Sequence, residues 1–309
     1  TGKIEKLMDW KLRCYNSPEN PDYHSEIDEG PFLDDDQHSR YRMMVGSLNW
    51  CVTLGRWDVH HAASTYARYA QAPGQGHMNA LKRVFGYLKH HSRRRTVYDT
   101  SMPDFSKYPK MQYDWSRRYP NATEEVDPNT PNPKGKPVQI AGYFDASHAS
   151  CLQTRRSVTG MLLFLNNTPI EFLSKRQGTV ESSTYGSEIV AGWIAIDHVV
   201  AIHQDLRWLG VPIQSPAILF GDNEAMVKNI SLPSSSLKKR HNSIAYHRCQ
   251  EAIAADIAAV IHCPSGLNLS EALTKPLGSV LFERLTHSST SWPSPSDVGN
   301  GELKDETCT

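Results

Sequence analysis

Four carboxylates stand out by where the sequence puts them. Asp145 ends the run V-Q-I-A-G-Y-F-D, Glu188 falls early in a long helical pattern, Asp222 follows A-I-L-F-G, and Glu271 sits in S-E-A-L-T-K. An acid at the end of a buried strand has a rigid base and a wet tip, which suits a metal ligand or a general base. Each has a plain alternative, because Glu188 would favour the positive end of its helix and Asp222 or Asn223 could be an N-cap. Taken together they are harder to dismiss. Like charges about 4 Å apart cost ~4 kcal/mol at an effective dielectric near 20. Hard divalent cations with oxygen ligands, Mg²⁺ above all and Mn²⁺ beside it, relieve that repulsion.

The elements that must position these acids follow from hydrophobic pattern. Val138 to Asp145, Val158 to Leu165 and Ile170 to Ser174 read as three strands, with Asn166-Asn167-Thr168-Pro169 as the second turn; short connections make neighbouring strands antiparallel. Ser182-Ser183-Thr184 caps a helix running to about Trp208, on which Gly192, Ala195 and Val199 share a small, apolar face with Glu188 and so turn that acid toward the sheet. Ala217 to Gly221 is a fourth strand, followed by a short helix from Asn223. Asn242 to Ala255 reads as a helix, Ala258 to His262 as a fifth strand, and Asn268 to Thr274 as the start of a last helix. The order is βββαβααβα.

The rest of the chain reads as support. Residues 1 to 36 form a polar connector whose acids lack calcium-loop spacing. Residues 37 to 98 form a small helical module: Met44, Leu48 and Cys51, then Val59, Ala62, Ala63 and Tyr66, then Leu81, Val84, Phe85 and Leu88 recur at helical spacing. Seven prolines between 99 and 137 mark a semi-rigid linker, and 288 to 309 reads as a disordered tail.

The 33 basic and 33 acidic residues cancel, so nucleic-acid binding must use local patches. Two are candidates for phosphate contact. One is Lys82, Arg83 and Lys89; the other is Lys238, Lys239, Arg240 and His241, with Arg248 a turn or two into the next helix. The six cysteines contain no C-x-x-C pair, which favours neither a zinc knuckle nor a disulfide framework and fits a reducing compartment. No signal-peptide pattern opens the chain, which enters at Thr1 as if in mid-protein. A piece of a longer, soluble, intracellular protein is expected.

G-Y-F-D-A-S-H-A, T-R-R-S-V-T-G, S-K-R-Q-G-T-V-E-S-S-T-Y-G-S-E, G-D-N, L-K-K-R-H-N-S-I-A-Y-H-R and S-E-A-L-T-K-P-L, in this order, resemble the ribonuclease H domain of copia-type retrotransposon Pol polyproteins. Upstream, Y-R-M-M-V-G-S-L-N-W, G-R-W-D-V and G-H-M-N-A-L-K-R-V-F-G-Y-L-K resemble the segment after the reverse-transcriptase palm. The resemblance spans about residues 20 to 286. It implies an α/β, ribonuclease H-like mixed five-stranded sheet with flanking helices over 138 to 287, preceded by a thumb- or connection-like helical module. It also implies two-metal hydrolysis of the RNA strand in an RNA–DNA hybrid. Asp145, Glu188 and Asp222 match the first three family acids and would be the catalytic metal ligands; Glu271 stands where the fourth is Asp. The polymerase palm would be a partner in the same polyprotein, and a cytoplasmic virus-like particle or the nucleus the setting. No membrane role is implied. No paired palm aspartates precede the helical module, so no DNA synthesis is expected from this chain alone.

Two rivals carry different expectations. A transposase or integrase core would use Asp145, Asp222 and Glu271 and would not need Glu188. A catalytically inactive nucleic-acid-binding remnant of a decayed element would keep the scaffold without the chemistry, with Glu271 as the defect.

Overall fold

Residues 11–108, 113–237 and 240–290 are described by the structure, a computed structural model. Lys238, Lys239 and residues 291 to 309 lie outside the described residues; of the tail expected over 288 to 309, residues 288 to 290 belong instead to the last helix. The chain divides into two compact units: Thr1–Val97 with Cys151–Gln153 and Lys275–Thr309, and Tyr98–Ser150 with Thr154–Thr274.

In the first unit, Asp34 opens helix α1 (Asp35–Thr53) by accepting from the Gln37 backbone N–H at 2.8 Å. The helix therefore starts a turn and a half before the apolar pattern that begins at Tyr41, because cap chemistry and acidic Asp35 and Asp36 favour an N-terminus. Helices α2 (His60–Ala67) and α3 (Gln75–His90) complete the module, with Tyr41, Met44, Leu48, Ala62, Tyr66, Leu81, Val84 and Phe85 buried. Buried Asp58 accepts from Arg56 at 2.9 and 2.8 Å and from the Tyr87 hydroxyl at 2.6 Å. Burial alone would push its carboxyl up, but these donors outweigh it and hold it below the usual range.

The second unit is built on five strands: β1 (Val138–Ser147), β2 (Val158–Leu165), β3 (Thr168–Arg176), β4 (Ile213–Gly221) and β5 (Ala258–His262). Their order is β3-β2-β1-β4-β5, with β1, β2 and β3 antiparallel and β1, β4 and β5 parallel. This is the ribonuclease H-like arrangement. Thr168 and Pro169 belong to β3 rather than to the turn, which is left to Asn166 and Asn167, with Asn166 at φ 55°. Proline is tolerated there because β3 is an edge strand.

Helix α4 (Thr184–Trp208) is capped by Ser183 and lies on the sheet with α5 (Glu224–Ser231) and α6 (Ser243–Ala254). By length and composition α4 is apolar enough to cross a membrane, but it is a core helix whose Ile189, Ala191, Ala195, Ile196 and Val199 are buried in this unit. Two glycines set its approach. A Cβ at Gly192 or Gly221 would meet the Phe144 ring at 3.3 or 2.7 Å, so the ring fills the space between helix and sheet. The expected last helix at Asn268 is instead a five-residue 3-10 turn, Leu269–Leu273, and α7 (Ser279–Thr290) starts separately in the first unit. Pro276 and Gly278 between them stop continuation.

No helix or strand occupies the described residues between Tyr98 and Pro137, yet this segment is tied to the sheet and to α4. Phe105 and Tyr108 pack on Phe220 with Tyr143, covering the apolar patch of Ala141, Ile218 and Cys263. Glu124 pairs with His203 at 2.8 Å and with Arg207, both on α4. Although partial burial raises the Glu124 carboxyl, His203 and Arg207 draw it from 4.5 down to about 2. A depressed folded-state value means stability that is complete above the unfolded value and lost as pH falls from there through about 2. Thermal unfolding of wild type between pH 5 and 2 should therefore steepen relative to Glu124→Gln. Parallel melting curves across that window would rule out this clamp.

Candidate metal centre

Sheet register brings Asp145 and Asp222 together. Tyr143 on β1 is paired with Phe220 on parallel β4, so two residues further along Asp145 and Asp222 emerge side by side at the same sheet edge. Glu188 comes from the second turn of α4, and its Oε1 accepts from the Ala146 N–H at 3.4 Å. Ligand oxygens of Asp145, Glu188 and Asp222 all lie within 4.8 Å of one another. Asp145 and Glu188 are buried while Asp222 is half-buried, so the cluster opens to solvent on one side.

The donor set fits a hard divalent cation. All three ligands are carboxylate oxygens, with no sulfur or imidazole among them, which is the preference of Mg²⁺, Mn²⁺ or Ca²⁺ rather than zinc. The burial of two mutually repelling acids is explained if their charge is offset by such an ion.

Sequence reasoning missed the groups that hold these acids in place. Thr274 donates from Oγ1 to Asp145 Oδ2 at 2.6 Å and also lies 3.0 Å from the Glu271 carbonyl. Ser265 donates to Asp222 Oδ2 at 2.7 Å. Asn268 donates from Nδ2 to the Phe144 carbonyl at 2.9 Å, while its Oδ1 accepts from Ser270 Oγ at 2.6 Å. Together Asn268 and Thr274 hook the 3-10 turn onto β1. Gly160, the β2 residue paired with Asp145, makes room for that turn: a Cβ there would sit 2.6 Å from the Ser270 carbonyl oxygen and 3.0 Å from Leu273 Cβ. A glycine inside V-T-G-M-L-L was the available signal, since glycine in a strand interior marks close approach.

Glu271 is buried on this turn but does not join the three-acid group. Its charge is still felt nearby. Burial pushes the Cys263 thiol up to about 12, and Asp222, Asp145 and Glu271 each add to that rise. The grouping of Glu188 with two aspartates, leaving Glu271 aside, is not the Asp-Asp-Glu arrangement of the transposase reading.

The basic candidates are placed unevenly. In the first unit Arg83 lies over the Tyr15 ring at 4.5 Å and donates to Ser17 Oγ at 3.2 Å, so its guanidinium is engaged locally; Lys82 and Lys89 are half-buried, and burial lowers the Lys82 amine. In the second unit Arg240 is exposed, His241 contacts Glu181 at 3.2 Å, and Arg248 donates to Asp197 at 2.9 Å.

No protein-family model matches the chain. The Pol polyprotein of transposon RE2 from Arabidopsis thaliana is 25% identical over 80% of this chain, and that of transposon RE1 from the same plant 23% over 79%. The chain spans only 15% and 14% of their lengths. Among solved structures, ribonuclease H1 from the archaeon Halobacterium salinarum aligns with 44% of this chain and 94% of its own at 14% identity and a TM-score of 0.35. Over about four-fifths of its length the chain is thus similar to part of the retrovirus-related Pol polyproteins of plant transposons.

Proposed function

We propose that the second unit is a metal-dependent endonuclease that hydrolyses the RNA strand of RNA–DNA hybrids within a retroelement Pol polyprotein. The observation that carries this reading is the convergence of Asp145, Glu188 and Asp222 within 4.8 Å at one sheet edge. Two divalent ions, Mg²⁺ in the first instance, would be held there and in the neighbourhood of Glu271, and when bound would supply Lewis-acid charge at the phosphodiester. The chain's own work is positional. Thr274 and Ser265 fix the rotamers of Asp145 and Asp222, the Ala146 N–H fixes Glu188, and the half-buried face of Asp222 leaves a way in for a phosphate.

Glu271 is where activity is decided. Its side chain is one methylene longer than the aspartate of the related motif, and misplacement by about 1 Å can cost about 10²-fold in rate. Labelled RNA–DNA hybrid incubated with Mg²⁺ should be cut by wild type and cut about tenfold or more faster by Glu271→Asp, with no cutting of duplex DNA. Cleavage restored only in Glu271→Asp would mean an intact scaffold with a defective fourth acid. Absence of cleavage by both proteins would refute the hydrolase reading.

A further inference from the structure

Glu181 is buried, yet the catalytic grouping does not use it. It lies in the loop before α4, and its carboxylate collects donors from two directions. Thr179 Oγ1 donates to Oε1 at 3.2 Å; Asn242 Nδ2 donates to Oε2 at 3.2 Å, and His241 Nε2 lies 3.2 Å from the same oxygen. The carboxylate also occupies the space that a side chain at position 186 would need, since a Cβ on Gly186 would lie 2.5 Å from Oε2. Gly186 is in the first turn of α4, two residues before Glu188. One buried carboxylate therefore joins the Arg240–His241 turn to the helix that carries a candidate metal ligand.

The segment that leads from α5 toward the Arg240–His241 turn is braced independently. Arg118 donates to the Pro233 and Ser235 carbonyls at 2.9 and 2.6 Å, and Ser235 Oγ is held by Tyr246 at 2.6 Å and Gln250 at 3.0 Å. Between the anchors Arg240 is exposed and the His241 side chain is 53% exposed. Glu181 therefore ties this turn to the first turn of α4, and Glu188 lies on the next turn of the same helix.

We infer that Glu181 is a positioning residue for hybrid binding: it holds Arg240 and His241 in register with the metal centre, so that they meet phosphates flanking the scissile one. Its negative charge is itself unfavourable to a polyanion. It is tolerated because the carboxylate is buried beneath His241 and Asn242, while Arg240 is exposed to solvent. This inference rests on the hydrolase reading.

The test uses the full chain with Asp145→Asn as a non-cleaving background, and measures hybrid affinity by fluorescence anisotropy across a salt series. Glu181→Ala should weaken binding by roughly five- to tenfold and lower the salt slope by about one. Glu181→Gln keeps the volume and one acceptor, and should fall between. In an Arg240→Ala, His241→Ala background the Glu181 substitution should have no further effect, because the groups it positions are gone. With Asp145 restored, KM should rise while kcat at saturating hybrid holds. Unchanged affinity in both Glu181 variants, or full additivity with the Arg240 and His241 substitutions, would overturn the inference alone. No hybrid binding by the Asp145→Asn parent would overturn the hydrolase reading and the inference with it.

Discussion

Asp145→Asn should reduce Mg²⁺-dependent cleavage of the hybrid by about 10³-fold or more, a loss of ~4 kcal/mol of transition-state stabilisation. The effect is expected to be large because Asp145 is a buried member of the three-acid group. It shares the cluster with Glu188 and Asp222, receives the Thr274 hydroxyl at 2.6 Å, and leaves the sheet beside Asp222. Asparagine keeps the shape, and its carbonyl oxygen can still accept from Thr274. What it removes is one negative charge. Two consequences follow that do not depend on turnover. Metal-free Asp145→Asn should be at least as stable as wild type, since like charges within 4.8 Å repel each other in the absence of a cation. Added Mg²⁺ should raise the melting temperature of wild type and leave that of the variant nearly unchanged; a ligand at about 100 times its dissociation constant stabilises by ~2.7 kcal/mol. An equal metal-induced rise in both proteins would remove Asp145 from the site.

Gly160→Ala should destabilise the second unit by ~1–3 kcal/mol, or lower its melting temperature by roughly 3–10 °C. The reason is local and steric. The new methyl would meet a backbone carbonyl, that of Ser270, at 2.6 Å, together with Thr274 Cγ2 at 2.6 Å. A backbone atom cannot swing away as a side-chain tip can, so the 3-10 turn itself must lift. That turn carries Glu271, and Thr274 follows it, so the cost extends to chemistry. The hydrogen bond that orients Asp145 should lengthen and cleavage should fall by about tenfold or more, even well below the melting temperature. Gly142→Ala provides a comparison on β1, because its Cβ would press on Leu163 and the Leu162 carbonyl without touching the turn. It should lose stability while keeping more activity per folded molecule. If Gly160→Ala melts like wild type and cleaves at the wild-type rate, the turn is not held as described.

Much of this architecture is legible in residues alone, for specific reasons. β2 and β5 are continuous apolar runs bounded by polar or turn residues, and their limits in the structure are those of the hydrophobic pattern. Ser183 and Asn223 declare the starts of α4 and α5, because a side-chain oxygen before a helix satisfies otherwise unpaired N–H groups. The approach of Glu188 to the sheet follows from the small residues one and two turns beyond it. Local chemistry of this kind is written where it acts.

The misread stretches are those in which distant residues decide. Asn268 to Thr274 has a helical look, but Asn268 is spent on the Phe144 carbonyl and Thr274 on Asp145, and Pro276 blocks extension. Thr168 and Pro169 look like turn residues, yet pairing with Leu165 and Phe164 draws them into an edge strand. The sides that Phe105, Tyr108 and Glu124 cover have no local periodicity to announce them, since each meets its partner across a long sequence separation.

By itself the sequence determined the kinds of element, their order, and four acids at element ends, because cap residues and hydrophobic period act over a few neighbouring positions. Only the tertiary structure decided which acids form one group. Parallel register between β1 and β4 set Asp145 beside Asp222, the packing of α4 on Phe144 brought in Glu188, and the turn seated on Gly160 left Glu271 buried but outside the group. A separation of a few ångströms between charges is set by strand register and side-chain packing, and neither quantity exists until the sheet has closed on its helices.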